Sequence, residues 1–361
     1  MRNKIILVLL GVLLLQCCCI SGLAPQLEEL SGEIVQHVTI EPLVQELPTI
    51  SVETPASGEL PAPDEPSLNL ASDPVVGKAN YTVRQTLSIA NDGNGTVDEL
   101  KLHMALLRDW APYQQVTLVQ ASPSDYEIIT DADDNEYALF WFYDMQPGDS
   151  VPVTIEYEVA VNALDFDLSV CSGEMIRTFT DAEKYLEVDH SEISTLAESL
   201  TVDAKTDCQA VNNIYTYVID SMSYAGYVPG DKGALFAHQT GTGDCTDYAD
   251  LMIALTRAAG IPARFVEGVT YSTDGYYDEG QTKHDWLEVY LPGTGWVPMD
   301  PTWGENDADT YFGGVSPDHI IVTKGRNLST LNGYHFWAYW WWGDDGVEVN
   351  VYDEAWKMWK K

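Results

Sequence analysis

Positive charge is scarce in this chain. Over 361 residues, 18 Lys and Arg stand against 56 Asp and Glu, a formal net charge of −38. Such a balance excludes nucleic acid or an anionic membrane surface as a partner held by charge, because both would be repelled. It suits solubility in a salty medium, and no local acidic cluster singles out a cationic substrate. Long apolar runs are missing too. The stretch Ile5–Leu15 is too short for a stable membrane span, and so is the aromatic run from His335 to Trp342, with its polar edges. That run reads as core packing, or as a surface on which carbohydrate or peptide could stack. Metal-ligand spacing is lacking as well: neither His284-Asp285 nor the acidic loop Asp274–Glu279 repeats a ligand pattern, so no metal and no cofactor is expected.

Cysteine is used sparingly, and its placement speaks to compartment. Arg2 and Lys4 precede the apolar Ile5–Leu15, and Cys17, Cys18 and Cys19 follow at once. Residues 1–24 therefore read as an export signal. It is either of lipoprotein type, which would anchor the chain to a membrane through an N-terminal lipid, or an ordinary signal cleaved near Ala24. Either places the mature protein outside the cytoplasm, secreted or at the cell surface. Only Cys171, Cys208 and Cys245 lie beyond it. In an oxidising compartment the expectation is a Cys171–Cys208 disulfide with Cys245 reduced, three free thiols being the other reading.

What is present divides the chain into stretches of different pattern. Residues 25–77 hold eight prolines, ten acidic residues and no Lys or Arg. Such a segment cannot bury enough apolar surface to offset its ordering entropy, and reads as an extended acidic stalk, with a short helix around Leu27–Leu43 as an option. Over 78–165 the apolar period is two: Val83, Leu87 and Ile89, then Leu100, Leu102, Met104 and Leu106, then Tyr137–Tyr143 and Val151–Val161. The Asn91–Gly95 and Gln146–Asp149 stretches between them are turn chemistry. The expectation is an all-β, immunoglobulin-like sandwich. Residues 166–361 then carry helical periods, with Ser191 capping Glu192–Leu200 and an amphipathic run from Ala210 to Met222, followed by strands at Arg264–Tyr271, His284–Leu291 and Trp296–Asp300. Ile320–Val322 and Val347–Val351 are expected to complete that sheet, an α+β layering.

The chemistry concentrates between Gly241 and Trp303. Cys245 follows Gly243-Asp244 where a helical apolar spacing begins, at Tyr248, Leu251, Met252 and Leu255, and Gly260 stops it. The thiol thus lies at a helix amino end, where unpaired N–H groups and the helix dipole favour thiolate. Asp244 and Asp247 serve the helix end. His284 opens one strand and Asp300 closes the next. Thiol, imidazole and carboxylate are the parts of a cysteine nucleophile with base and orienter. His284 and Asp300 are both even-numbered. They can share a face only if the turn around Pro292–Gly295 holds an odd number of residues, or a bulge intervenes.

Four pieces in order, G-D-C-x-D-Y-A (243–249), R-A-A-G-I-P-A-R (257–264), H-x-W-L-E-V-Y (284–290) and G-W-V-P-M-D-P-T-W (295–303), resemble the transglutaminase-like superfamily of papain-type cysteine enzymes. The resemblance covers about 190–345. It implies a papain-like core of helices packed on an antiparallel sheet, with Cys245 as nucleophile, His284 as general base and Asp300 as the residue orienting it. The N–H of Cys245 would be one oxyanion donor, and Tyr224 is one option for a second. The implied activity is hydrolysis or acyl transfer on amide bonds of a protein or peptide substrate, with peptidase-type hydrolysis as the leading expectation. Transglutaminase cross-linking and a non-catalytic surface-binding role are the rivals.

Overall fold

The computed structural model describes residues 73–361 apart from 170, 228 and 272–282. The signal segment, nearly all of the stalk, its optional helix and the acidic loop Asp274–Glu279 lie outside the described residues. The strand-rich region comes first: β1 (Val75–Asn91), β2 (Val97–Ala105), β3 (Gln114–Ser122), β4 (Glu127–Thr130), β5 (Glu136–Met145) and β6 (Ser150–Asp165). β1 begins at Val75, three residues before the strand pattern expected from 78. Alternation does what a period of two requires. Tyr81, Val83, Gln85, Leu87 and Ile89 on β1 and Val153, Ile155, Tyr157 and Val159 on β6 are buried, while the residues alternating with them reach solvent.

The helices follow. α1 (Ser191–Thr201) and α2 (Asp207–Ser221) lead to the short strand β7 (Ser223–Tyr224), then α3 (Ala234–Thr240), β8 (Thr242–Gly243) and α4 (Cys245–Ala258). Ser191 is the first residue of α1 rather than its cap; His190 precedes it and accepts from the Glu192 N–H. α4 is buried along almost its whole length, from Asp247 to Arg257. A helix so enclosed must pair its charged side chains: Asp250 accepts from Arg326 at 2.9 Å, and Arg257 donates to Glu183 at 2.8 Å. The antiparallel sheet packed on it comprises β9 (Ala263–Thr270), β10 (Lys283–Leu291) and β11 (Gly295–Met299), then, beyond the two-residue β12 (Gly314–Val315), β13 (His319–Lys324), in the order β11-β10-β9-β13. Gly268 is required where β9 passes under the site, because a Cβ there would lie 2.4 Å from both the Ile320 carbonyl and the Trp286 ring. Cys171 and Cys208 form the expected disulfide, pinning the segment before α1 to the start of α2. Closing a loop of this separation, 37 residues, restricts the unfolded chain by about 3–4 kcal/mol.

The last two strands do not extend the helix-backed sheet. β14 (Trp337–Gly343) pairs with β2, and β15 (Val349–Lys360) pairs with β1 along ten registered positions from Tyr81↔Lys360 to Asn91↔Val349. Val347–Val351 was expected in the sheet of β9–β11; it runs instead into the strand that closes on β1. The pairing therefore does not follow a division at 165/166, since residues 337–360 belong to the sheets begun by β1 and β2. One apolar cluster joins these two sheets and takes in Val269, Ile320 and Val322 from β9 and β13. Within the aromatic run, Ala338 is buried and Trp337, Tyr339 and Trp340 pack against that cluster, while Trp342 is half exposed.

Candidate active site

Three local devices build the site. Asp244 caps α4, its Oδ1 accepting from the Thr246 N–H at 3.1 Å, while Asp247 Oδ2 reaches back to the Asp244 N–H at 3.0 Å. This capping box fixes Cys245 at the first helical position. Gly243 is part of it, because a Cβ there would lie 2.4 Å from the Asp247 Cβ. The turn between β10 and β11 holds three residues, Pro292, Gly293 and Thr294, between the paired Leu291 and Gly295. That odd count puts His284 and Asp300 on one face. Asp300 in turn caps the short helix Pro301–Gly304, its Oδ1 accepting from the N–H groups of Thr302 and Trp303, both at 3.0 Å.

The result is a buried imidazole–carboxylate pair. His284 Nε2 donates to Asp300 Oδ2 at 2.7 Å, with side chains 6% and 1% exposed. A carboxylate only accepts, so Nε2 carries the proton and Nδ1 is left as the acceptor in the neutral ring. Trp286 and Trp303 lie near-parallel to the ring, with centroids at 5.8 and 5.2 Å. Cys245 is the free cysteine among the described residues, half-buried, and the Asp285 backbone N–H beside His284 is directed at its sulfur. Thr246 ties the same two elements together through a 2.6 Å bond to Asp285 Oδ2.

The sequence signals that located these residues agree with comparison to known families. The model of the transglutaminase-like superfamily matches residues 194–301. Those residues are a transglutaminase-like domain. Among curated relatives, YebA of Bacillus subtilis is 30% identical over 177 residues, covering 42% of this chain and 23% of that protein. A protein-glutamine gamma-glutamyltransferase of Pseudomonas aeruginosa is 36% identical over 77 residues, 19% of this chain and 11% of that protein. The chain thus spans less than a quarter of the length of either relative. A candidate cysteine protease from Cytophaga hutchinsonii, a solved structure, aligns with TM-score 0.55 at 14% identity, over 79% of this chain and 91% of that one, and shares the fold.

Within the transglutaminase-like domain the electrostatics differ from the expected depressed thiol. Burial pushes the Cys245 thiol well above its ordinary range, and the carboxylates of Asp285 and Asp244 push the same way against the Asp285 N–H. Desolvation and these carboxylates, with a smaller push from Asp300, outweigh that one hydrogen bond. Asp285 is itself raised to about 6 by burial and by Glu267, so it is ionised at pH 8. Replacing Asp285 by asparagine keeps an acceptor for Thr246 and removes a charge. Alkylation of Cys245 by iodoacetamide at pH 8, followed by peptide mass spectrometry, is expected to quicken about three- to tenfold. An unchanged rate would mean that this carboxylate does not set the thiol.

Burial works to raise Asp300, but the adjoining His284 imidazole and its hydrogen bond, joined by His319, hold it well below the carboxylate range. His319 is the residue that sequence reasoning missed. It opens β13, buried, and its Nε2 lies 3.2 Å from the same Asp300 Oδ2 that His284 engages. A histidine at a strand start was the only available signal, and it carries no flanking motif. His284, Asp300 and His319 bring ligand-type atoms within 4.8 Å of one another; their mutual hydrogen bonds account for that closeness. Tyr224, the option for an oxyanion donor, pairs in register with Gly243 on β8, and its phenol is pushed up to about 12 by burial and then by Cys245 and Asp244.

Proposed function

We propose that this chain is an extracytoplasmic cysteine hydrolase that cleaves peptide or side-chain amide bonds through a thioester on Cys245. The observation that carries the reading is the buried 2.7 Å His284–Asp300 pair, its imidazole on the strand whose Asp285 N–H is directed at a thiol at a helix amino end. An amide is a poor electrophile, so the nucleophile must be thiolate. Because the thiol rests protonated, its proton passes to His284 Nδ1 as sulfur attacks the amide carbon. The N–H of Cys245, at a helix end without an intrahelical acceptor, supports the oxyanion. Collapse breaks the C–N bond, and His284 returns the proton to the leaving amine. Water, deprotonated by the same imidazole, then cleaves the thioester and releases the acid. Asp300 holds the imidazole and its tautomer throughout. Export rests on the basic, then apolar, amino end; no helix among the described residues is long and apolar enough to cross a membrane.

Water and an amine compete for the same thioester, so the acceptor decides between hydrolase and transferase. Trp286 packs as core and Trp303, partly exposed, stacks on His284, and neither gives a distinct reason for an amine channel. With a casein digest as substrate and millimolar alkylamine present, mass spectrometry is expected to show free acids outrunning amine-coupled products, with both absent in Cys245→Ala. Predominant amine coupling replaces the hydrolytic reading with cross-linking. An unaltered digest favours a non-catalytic binding module.

A further inference from the structure

Asp300 has more donors than orienting one imidazole requires. Its Oδ1 accepts from the N–H groups of Thr302 and Trp303, and its Oδ2 faces both His284 Nε2 at 2.7 Å and His319 Nε2 at 3.2 Å. A carboxylate offers about four lone-pair sites, and all are taken. Without His319, the oxygen that serves His284 would have that one bond, and the carboxylate would be anchored only through the other oxygen at the helix cap. Its plane could then turn about the bond to the side chain, carrying His284 with it.

His319 is itself held firmly. Its Nδ1 lies 2.8 Å from Asp318 Oδ1, and Ser316 Oγ bridges to the same carboxylate. Trp303, Trp286 and Tyr311 wall the ring, with centroids at 4.4, 5.2 and 5.8 Å. Both ring nitrogens face carboxylates, which only accept, so both carry protons and the ring is an imidazolium. Consistent with that geometry, the two carboxylate hydrogen bonds raise His319 to about 9 against the effect of burial.

We propose that His319 is a positioning residue for the cysteine chemistry: its Nε2–H, donated to the Asp300 oxygen shared with His284, fixes the plane of that carboxylate and thereby aims the catalytic imidazole. The inference rests on the functional reading above. It acts through Asp300 and needs no contact with substrate.

The test compares His319→Leu, which keeps bulk and removes the donor, with His319→Gln, whose amide nitrogen can reach the position of Nε2. The first readout is release of p-nitrophenolate from p-nitrophenyl acetate by the full chain. We expect kcat to fall on the order of 10- to 100-fold in His319→Leu, as misaimed catalytic groups do, with KM within twofold and most of kcat restored in His319→Gln. The second readout needs no turnover: the downfield proton on His284 Nε2, assigned in ¹⁵N-histidine-labelled protein by its loss in His284→Gln. It should broaden or shift upfield in His319→Leu and return in His319→Gln. If leucine fails to fold, Asp318→Asn, which loosens the Nδ1 side, should give the same changes in milder form. A folded His319→Leu with kcat within twofold and an unmoved proton overturns the proposal; so does equal loss in leucine and glutamine variants. If the parent releases no more p-nitrophenolate than Cys245→Ala while the proton behaves as expected, the functional reading fails and the positioning role stands.

Discussion

Replacing His284 by alanine is expected to lower turnover of p-nitrophenyl acetate about 10³-fold or more, and Cys245→Ala is expected to reduce it to the uncatalysed background. The size follows from the state of the thiol. Were Cys245 a free-standing thiolate, loss of the imidazole would cost only orientation. Burial and the Asp285 and Asp244 carboxylates instead keep the proton on sulfur, so a base must take it during attack. General acid–base assistance contributes about 10²–10⁴-fold, and here one imidazole serves both the attack on the ester and the release of the acyl group. Melting curves of the His284→Ala protein decide whether the loss is chemical. The Asp300 carboxylate keeps three donors, from Thr302, Trp303 and His319, so the fold should survive. Residual activity within tenfold of the parent, in folded protein, would remove His284 from the base role.

How much of this site the chain discloses along its length depends on whether the controlling neighbours are close in sequence. Cys245 at a helix start is legible because the cap, Asp244, and its reciprocal partner, Asp247, stand beside it. The shared face of His284 and Asp300 is legible as a parity condition, which the three-residue turn satisfies. The state of the thiol is not legible, because Asp285 reaches it from a strand forty residues away and because burial is a property of the packed whole. His319 fails for the same reason: it joins Asp300 through β13, on the far side of β9. The return of β14 and β15 to β2 and β1 is hidden as well. Alternation marks a strand and its buried face but not its partner, and more than 230 residues separate the members of each pair.

Glu288 lies on the same strand as His284 and yields the largest effect expected on stability. Its side chain is 0% exposed and engages Arg264 Nε at 2.6 Å and Lys324 Nζ at 2.9 Å, with the Lys324 side chain 4% exposed. Replacing it by alanine removes the shared counter-charge of both cations, and Lys324 is in no position to reach water. Breaking a buried pair in this way costs about 3–5 kcal/mol, far more than a surface pair would. The same geometry fixes the pH dependence. Burial alone would raise the carboxyl, but Arg264 and Lys324 outweigh it and bring it from an ordinary 4.5 to about 2. A folded-state value below the unfolded one adds stability that is complete above about pH 4.5 and is lost as pH falls toward 2. The difference corresponds to about 3 kcal/mol. Urea unfolding of the parent and of Glu288→Ala at pH 7 should therefore differ by about 3–5 kcal/mol, and the gap should narrow progressively in titrations at pH 4 and pH 3. A gap below about 1 kcal/mol at pH 7, or one that persists unchanged at pH 3, would show that the network of Glu288, Arg264 and Lys324 does not stabilise the strand that carries His284.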